Sequence, residues 1–317
     1  MQSPTTPRFS AIIPNYNHAA FVLDTLNAAI EQTVPFDEIL IIDDASTDDS
    51  VARIEARIRD VPHARLIRNP TNLGVIATSN LGLHAATGDF ICYLSADDHY
   101  DRRIVAWCHA LLARYPDVAM ISGNASIRHG TRETLHHLVL PFSQRADGRY
   151  DRDAIAAIAK RRAFTFNMGA NIIRRDAHLA AGELLPDLRW SADWFLYVLV
   201  GCRYPFGVIP HSLVTIRIDD AQYSHAGRNW VAQGPIIAAF IRMLQRDYPN
   251  EYPFFKRCAL LPSYDIATLA LCLRARDLRD FITPLLVWRL LTYKLLRALG
   301  GWLPAGARGR IRQWLKV

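Results

Sequence analysis

The sequence predicts an α/β fold in which a mostly parallel sheet is flanked by helices, with a helical and basic C-terminal region after it. Between residues 9 and 122, short apolar runs alternate with amphipathic segments. Segments of about 10–15 residues in such an alternation are typical of βαβ units. The chain has 317 residues, of which 50% are apolar and 21% are charged. This composition supports a full hydrophobic core and carries too little charge for a disordered chain.

The predicted strands are short apolar runs bounded by turn residues. In order they are Phe9–Pro14, Glu38–Asp43, Ala64–Arg68, Phe90–Leu94 and Val118–Ser122.

The predicted helices between these strands repeat their apolar residues every three or four positions. Ser46 and Asp48 are residue types that cap the second helix, and Gly88 is a typical stop for the third. The four helices are Phe21–Glu31, Asp49–Arg59, Gly74–Ala86 and Arg102–Tyr115.

The alternation ends after residue 123. The segment Asn124–Arg149 is polar and rich in histidine, without a clear period. Helices are predicted over Asp151–Arg162 and Trp190–Val200, and throughout the apolar region beyond Trp230.

The net charge of +7 is concentrated at the C-terminus. From Arg274 to Val317 there are ten Lys or Arg and two Asp, which gives 10 − 2 = +8 and leaves 7 − 8 = −1 for the rest. A nearly neutral body with a basic tail indicates that the tail meets an anionic surface.

The five cysteines and the N-terminus predict a cytoplasmic setting. No two cysteines have Cys-x-x-Cys spacing, which argues against a zinc ribbon or a dithiol redox site and favours a reduced compartment. The segment Met1–Arg8 has no apolar stretch, so no secretory signal is expected.

The ends of three predicted strands carry polar residues. The first leads to Pro14–Asn17, the second to Asp43 and Asp44, and the fourth to Asp97 and Asp98. In open parallel sheets, ligands bind beyond the carboxyl ends of the strands. The chain has no Gly-x-x-x-x-Gly-Lys-Ser/Thr and no Gly-x-Gly-x-x-Gly, so neither a P-loop nor a dinucleotide fingerprint is expected there.

Adjacent carboxylates such as Asp97 and Asp98 suit a hard divalent cation. Mg²⁺ or Mn²⁺ takes one or two carboxylates and completes its coordination with water and phosphate oxygens. A bound ion of this kind offsets the charge on a departing diphosphate. The alternative explanation of the pair is an ordinary turn, a helix cap or a solvated surface.

Five blocks of the sequence resemble the inverting glycosyltransferases of family 2, which have a GT-A fold. The resemblance covers roughly residues 8–225 and includes the order and spacing of the first four blocks. The blocks are 10–17 (SAIIPNYN), 38–48 (EILIIDDASTD), 72–74 (NLG), 88–98 (GDFICYLSADD), and 169–175 with 190–194 (GANIIRR and WSADW).

The resemblance implies that the first two blocks bind the nucleotide of a nucleoside diphosphate sugar. Asp44 would hydrogen-bond the base, and Pro14 and Tyr16 would shape the base pocket, with Asn17 also on the donor side. A uracil or thymine base is expected, hence a UDP- or dTDP-sugar.

The third and fourth blocks are implied to complete the donor site. Asn72 and Gly74 would line it, although a backbone turn explains Gly74 equally well. Asp97 would contact the ribose or its surroundings, and Asp98 would coordinate Mg²⁺ or Mn²⁺ on the diphosphate.

Asp193 matches the catalytic base of the family. It would take the proton from an acceptor hydroxyl as that oxygen attacks the anomeric carbon. One carboxylate base without a carboxylate nucleophile gives a single displacement, so configuration should invert. The alternative is a helix cap or a surface ion pair, and Glu183 and Asp187 are reserve candidates for the base.

Other positions are less specific. Arg217 is a candidate to stabilise the leaving group, while Trp190 and Trp194 are candidates for stacking on a sugar or, more commonly, for core packing. Many family members have a histidine that helps to bind metal shortly after an arginine. Asp219 stands at that position here, and His225 follows later.

The segment Phe281–Leu299 predicts an amphipathic helix rather than a membrane span, because it contains three cations. Arg289, Lys294 and Arg297 fall on one arc and face away from an apolar side that includes Trp288 and Leu291. Such a helix is typical of attachment to a membrane surface, here the inner face of the plasma membrane. A helical subdomain or an oligomer contact is the alternative.

These observations predict a glycosyltransferase domain over residues 8–227, with a donor half at 8–123 and an acceptor half at 124–227. A helical, basic region follows at 228–317. The predicted function is metal-dependent, inverting transfer of a sugar onto a glycan or lipid-linked acceptor, in polysaccharide biosynthesis of the cell envelope. The family's Gln-x-x-Arg-Trp mark of processive synthases is absent, so a single transfer is expected. The alternatives are a non-catalytic protein that binds nucleotide-sugars or glycans, and a nucleotidyltransferase. Nucleic-acid binding is not expected.

Overall fold

Four parallel strands form the part of the sheet that the sequence predicts. In the computed structural model, which describes residues 6–129, 135–138, 147–167, 169–218 and 230–299, they lie in the order β3-β2-β1-β4. Ser10 pairs with Glu38 and Asn15 with Asp43, so that β1 and β2 end level with each other. The four strands are β1 (Phe9–Asn15), β2 (Glu38–Asp43), β3 (Ala64–Arg68) and β4 (Phe90–Tyr93).

The sheet continues beyond β4 as a mixed sheet. Its order from β4 is β9-β6-β10-β5, with β7 paired to β6 and β8 to β10. The β6–β10 pair is parallel and the other added pairs are antiparallel. The added strands are β5 (His99–Tyr100), β6 (Met120–His129), β7 (Leu135–Leu138), β8 (Gly148–Tyr150), β9 (Asn171–Arg174) and β10 (Phe206–Ile218).

Helices cover both faces of β1, β2 and β4, which explains why these strands are largely apolar, whereas β3 is only partly buried. Ala11 and Ile13 face a core that includes Leu26 of one helix and Val105 of another. Ile12 faces the opposite side, and α3 passes so close that a Cβ on Gly82 would lie 2.4 Å from the Ile12 side chain. The helices of this region are α1 (Val22–Ile30), α2 (Ser50–Ile58), α3 (Val75–Ala85) and α4 (Ile104–Arg114).

The remaining helices follow β8. Two short 3₁₀ segments, Pro186–Ser191 and Arg276–Phe281, precede α7 and α11. None of the helices in the described ranges is long and apolar enough to cross a membrane. The helices are α5 (Arg152–Ala159), α6 (Arg175–Ala181), α7 (Ala192–Arg203), α8 (Trp230–Asp247), α9 (Tyr252–Arg257), α10 (Ala267–Arg274) and α11 (Pro284–Leu299).

The α/β fold with a helix-flanked central sheet and a helical C-terminal region is thus confirmed. The chain divides into two compact units. The first comprises residues 1–151, 166–186 and 196–219, and the second comprises 152–165, 187–195 and 220–317. The predicted boundary between residues 227 and 228 falls outside the described residues and stays a prediction.

Helix α11 is anchored in the second unit by a buried cation. Arg289 is 2% exposed, and its guanidinium donates hydrogen bonds to the carbonyl oxygens of Cys258 (3.1 Å), Ala259 (2.7 Å) and Ala159. Tyr264 adds its hydroxyl at 3.0 Å. The sequence predicts that Arg289, Lys294 and Arg297 share one arc opposite the apolar side, and the structure shows that Arg289 lies inside the unit because main-chain carbonyls bind its guanidinium.

The opposite face of α11 carries apolar side chains on the outside. Trp288, Leu291 and Leu295 are 49%, 52% and 58% exposed, while Leu286 and Leu290 are fully buried. The helix therefore presents an apolar stripe (Trp288, Leu291 and Leu295) to its surroundings.

Replacing Arg289 with methionine is expected to lower the free energy of unfolding by about 3 kcal/mol. The change keeps most of the packing volume but leaves several buried carbonyl oxygens without a donor, and each orphaned group costs about 1–3 kcal/mol. Urea unfolding of the full chain measures the loss. Lys294→Met is the control because Lys294 is an exposed cation on the same helix. Equal stability of the two variants would show that the hydrogen bonds from Arg289 to these carbonyl oxygens do not anchor α11.

Candidate active site

The loops after β1 and β2 are joined by a polar network. Asn15 Nδ2 donates to Asp43 Oδ1 (2.8 Å), and Asp43 also accepts hydrogen bonds from the backbone and hydroxyl of Ser46. Asn17 has a φ of 56°, and its side-chain oxygen accepts the Thr47 N–H at 2.8 Å. Asp43 and Asn17 thus shape the loop through their contacts with Ser46 and Thr47.

Asp44 organises the loop that follows β3. Its Oδ1 accepts hydrogen bonds from Asn69 Nδ2 (2.8 Å) and the Leu73 N–H (2.9 Å), and its Oδ2 accepts the Gly74 N–H (2.8 Å). Burial alone would raise the pKa of Asp44, but these hydrogen bonds and one from Thr78 lower it below its ordinary value. Asp44 is therefore a carboxylate held ionised inside the protein.

Gly74 is required by the backbone at this turn. Its φ of 85° and ψ of 155° lie in a region that only glycine adopts readily, although a Cβ would meet no atom within 4 Å. The Asn72 side chain accepts the same Gly74 N–H at 3.0 Å. The structure thus brings Asn72 and Gly74 together with Asp44, and it supports the backbone explanation of Gly74.

Apolar side chains remain exposed around these loops. Tyr16, Leu73 and Val75 are all exposed, and Pro14 at the end of β1 is half-buried. Leu73 and Val75 flank the glycine whose N–H binds Asp44. An exposed aromatic ring and apolar groups at the carboxyl end of a parallel sheet can pack against a planar base.

Asp98 lies in the turn between β4 and β5, the next strand end on the same edge of the sheet. The residue is buried, and its Oδ1 accepts the Arg217 N–H of β10 at 2.9 Å. Burial, and secondly the negative charge of Asp97, raise the pKa of Asp98 to about 7, although the Arg217 N–H and a Ser95 hydrogen bond oppose the shift.

This arrangement fits a divalent cation. Two neighbouring carboxylates supply hard oxygen donors, and a bound cation would offset the negative charge of Asp97, which together with burial raises the pKa of Asp98. In the parts of the chain that the structure describes, no group of three or more His, Cys, Asp or Glu is placed to hold a metal ion. Asp97 and Asp98 could hold Mg²⁺ or Mn²⁺ only with further ligands, such as water and phosphate oxygens.

Arg217 is the cation next to this carboxylate pair. Its guanidinium lies over the Phe21 ring (4.2 Å to the centroid) and 3.4 Å from Asp24 Oδ2 of α1. The side chain is 28% exposed, so the pair with Asp24 is screened and contributes little to stability. Arg217 is thus placed as a partly exposed cation adjacent to Asp98.

Asp193 belongs to the second unit, in the first turn of α7. Its residue is half-buried, and its Oδ1 accepts the Trp194 N–H at 2.7 Å. Desolvation of the carboxyl raises its pKa to about 6, despite that hydrogen bond. Both a helix-terminal role and a base role are compatible with this geometry.

The neighbouring tryptophans have structural partners. Trp194 is buried and packs edge-on against Phe240 and Phe255, which agrees with core packing rather than sugar stacking. Trp190 Nε1 donates to Gln233 Oε1 at 2.7 Å.

Of the other candidates, Glu183 lies in the first unit, Asp187 in the second, and two fall outside the described residues. Glu183 forms an exposed ion pair with His84 (2.6 Å), which gives it a partner other than an acceptor. Asp187 lies in the 3₁₀ segment before α7. Asp219 and His225 lie outside the described residues.

Sequence reasoning missed two residues that support the loops at the strand ends. Asn69 directly follows β3 and binds Asp44, so the strand-end argument applied to β3 would have found it. Thr25 is a polar residue on the buried face of α1, and its hydroxyl reaches the turn that holds Asp98. The available signal in the sequence was a polar residue at a core position of the helical period.

Comparison with known proteins gives a consistent family. The model described as "Glycosyl transferase family 2" matches residues 10–178, which include every predicted donor-site residue. A protein of Haemophilus influenzae described as an uncharacterized glycosyltransferase is 36% identical over 92 residues, covering 29% of this chain and 37% of that protein. The amylovoran biosynthesis glycosyltransferase AmsB of Erwinia amylovora is 32% identical over 96 residues, 30% of this chain and 32% of its own. The chain thus spans only about a third of the length of these relatives.

Solved structures share the fold over most of the chain. S. aureus TarS (1–349) in complex with UDP superposes with a TM-score of 0.57 at 14% identity, covering 91% of both chains. The complex of the same protein with UDP-GlcNAc gives a TM-score of 0.56. At this identity the similarity shows the fold alone, which is the GT-A fold.

Proposed function

The chain belongs to glycosyl transferase family 2, and we propose that it transfers a sugar from a nucleoside diphosphate donor to a hydroxyl of a glycan or lipid-linked acceptor. The observation that carries the proposal is the Asp97–Asp98 pair at the end of β4, on the same sheet edge as the Asp44 network. All three aspartates lie within residues 10–178, which match the family. A donor of the UDP type is favoured because TarS, which shares the fold, is solved with UDP and with UDP-GlcNAc.

The residues of the first unit bind the donor in this proposal. Asp44 and the turn that it holds, together with Tyr16 and Pro14, receive the base. Asp98 would hold Mg²⁺ or Mn²⁺, which when bound would offset the charge of the departing diphosphate, and Asp97 beside it would contact the ribose or its surroundings. Arg217 adds a cation beside the same carboxylates.

Asp193 acts as the base in this proposal. The acceptor O–H gives its proton to the Asp193 carboxylate while the acceptor oxygen forms a bond to the anomeric carbon. The bond from that carbon to the diphosphate oxygen breaks, and the nucleoside diphosphate leaves with the electron pair. A single displacement of this kind inverts the anomeric configuration.

A panel of UDP-, dTDP- and GDP-sugars with Mn²⁺ or Mg²⁺ tests the proposal by nucleotide release. One donor is expected to react in a metal-dependent manner. Asp193→Ala should lose about 10²–10⁴-fold in rate, the usual contribution of general-base catalysis. Asp98→Ala should lose at least about 100-fold, more than the loss typical for a residue that only supports a metal ligand.

Asp60→Asn is the matched control, because Asp60 is an exposed aspartate after α2. Equal activity of all three variants would contradict the assigned roles. No donor binding by calorimetry, together with silence across the panel, would contradict catalysis.

The pH dependence of the reaction is expected to report Asp193. The base must be ionised, so log(kcat/KM) should rise by about one per pH unit below pH 6 and level off above it, since the pKa of Asp193 is about 6. Protonation of Asp98 would compete with metal, so the profile is measured at two saturating Mn²⁺ concentrations. A limb that stays near pH 6 at both concentrations supports Asp193. If log(kcat/KM) levels off near pH 4 instead, or if the pH at which it levels off shifts entirely with the Mn²⁺ concentration, the assignment is contradicted.

We also propose that the second unit binds an anionic membrane surface through α11. The apolar stripe of Trp288, Leu291 and Leu295 is exposed, and Lys294 beside it is an exposed cation. Residues 300–317, which follow α11, contain four Lys or Arg and no Asp or Glu. The two acids nearest in sequence, Asp277 and Asp280, are paired with Arg242 and Lys256.

This charge distribution favours a lipid surface over the other possible partners of the stripe. Covering α11 with the basic tail, or with a second α11, would place like charges together. Anionic headgroups neutralise these charges while the acyl boundary accepts the apolar side chains.

Vesicle sedimentation tests this interaction with the full chain. The protein is expected to bind vesicles of mixed phosphatidylglycerol and phosphatidylcholine, and to bind pure phosphatidylcholine more weakly. Leu291→Glu should weaken binding at least about tenfold, since it places a charge in the apolar contact. Leu273→Glu is the matched control, because Leu273 is an equally exposed leucine on α10. Absence of binding, an equal loss in both variants, or a dimer that Leu291→Glu dissociates would overturn the proposal.

A further inference from the structure

We propose that Thr25 and Tyr100 are positioning residues that aim the Asp97–Asp98 carboxylates, an inference that rests on the proposed metal-dependent function. The turn Ser95–Asp98 carries both carboxylates between β4 and β5. Thr25 Oγ1 lies 2.6 Å from the Asp98 carbonyl oxygen and 3.0 Å from the Ser95 carbonyl oxygen. A single hydroxyl therefore contacts the main chain at both ends of the turn.

The Thr25 hydroxyl lies on an apolar face and needs a hydrogen-bond partner, which the turn supplies. Thr25 is fully buried on the core face of α1, between the buried residues Val22, Leu26 and Ala29. A hydroxyl without a partner in such a position costs about 1–3 kcal/mol. The hydroxyl contacts the two turn carbonyls. A core position of α1 is therefore used to hold the loop instead of for apolar packing.

Tyr100 holds the start of the same turn from another side. Its hydroxyl accepts the Ser95 N–H at 2.8 Å, and the residue is 1% exposed. Tyr100 belongs to β5, where it pairs with Val214 of β10. The Ser95 main chain is thus fixed by its carbonyl to α1 and by its N–H to the sheet.

The carboxylate of Asp98 is fixed separately. The Arg217 N–H of β10 donates to its Oδ1 at 2.9 Å, three residues beyond the position that pairs with Tyr100. Main-chain and side-chain atoms of Asp98 are therefore held by different elements. This arrangement sets the direction of the Asp98 carboxylate before any ligand binds.

A preset direction matters because metal affinity depends on the residues that orient the ligands. Loss of such support typically weakens metal binding 10–100-fold, even when every ligand is retained. The base-side network around Asp44 contains neither Thr25 nor Tyr100. The two residues should therefore affect binding of metal without affecting metal-free binding of the nucleotide.

Mn²⁺ binding to the full chain saturated with UDP tests the proposal, with free Mn²⁺ measured by electron paramagnetic resonance. Thr25→Val, which keeps the shape and removes the hydroxyl, should raise the Kd for Mn²⁺ at least about tenfold. Thr25→Ser should restore it to near the wild-type value. The Kd for UDP without metal should stay unchanged in both variants.

Thr268→Val is the matched control. Thr268 is also fully buried, and its hydroxyl has no hydrogen-bond partner among the residues that the structure describes, so the same change removes no support seen there. Wild-type Mn²⁺ affinity in Thr25→Val, or an equal loss in Thr268→Val, would overturn the proposal. If Thr25→Val does not fold, Tyr100→Phe takes its place, with a similar loss expected and an unchanged Kd refuting the inference.

The same experiment distinguishes a failure of the proposed metal dependence from a failure of the positioning role. A wild-type chain that binds UDP but no Mn²⁺ would refute the metal dependence and the positioning role together. A wild-type chain that binds Mn²⁺ with the same Kd as Thr25→Val and Tyr100→Phe would refute the positioning role alone.

Discussion

The structure of the proposed donor site depends on one constraint, which is that aspartates at the ends of buried strands must find hydrogen-bond donors inside the protein. Asp43 ends β2 and Asp44 follows it, both are almost fully buried, and each accepts at least three hydrogen bonds. Asp98 is also buried but has fewer donors and a second carboxylate beside it. The pKa of Asp44 falls below its ordinary value, while that of Asp98 rises to about 7. The same chemical group therefore becomes a loop anchor in one place and an undercompensated charge in the other.

Much of this architecture could be predicted from local patterns. The apolar runs located β1 to β4 to within a residue, and for β1, β2 and β4 the reason is that strands buried on both faces have no polar alternation. The strand-end argument then identified Asp44, Asp97 and Asp98. It could not identify the donors that serve them, because Leu73, Gly74 and Arg217 act through their backbone N–H groups. Backbone donors leave no trace in the side-chain pattern.

Non-local pairing accounts for what the patterns did not reveal. The strands β7 and β8 lie in a polar segment without a period, and they form by antiparallel pairing with β6 and β10. Such pairing depends on partners distant in sequence. Helix α11 makes the same point, since its period separated Arg289 from Trp288 and Leu291 but could not tell which side is buried. Three carbonyls from two other segments decide that question.

The raised pKa of Asp193 bears on how well it suits its proposed role. A carboxylate with the ordinary aspartate pKa of about 3.9 is ionised at pH 7 but is a weak base. Desolvation raises the pKa of Asp193 to about 6. The carboxylate is therefore a stronger base than an ordinary aspartate, and most of it is still ionised at neutral pH. A charged partner would undo this gain by stabilising the carboxylate, as the hydrogen-bond donors do for Asp44. Desolvation without a charged partner among the described residues therefore suits Asp193 to the proposed role of proton acceptor at neutral pH.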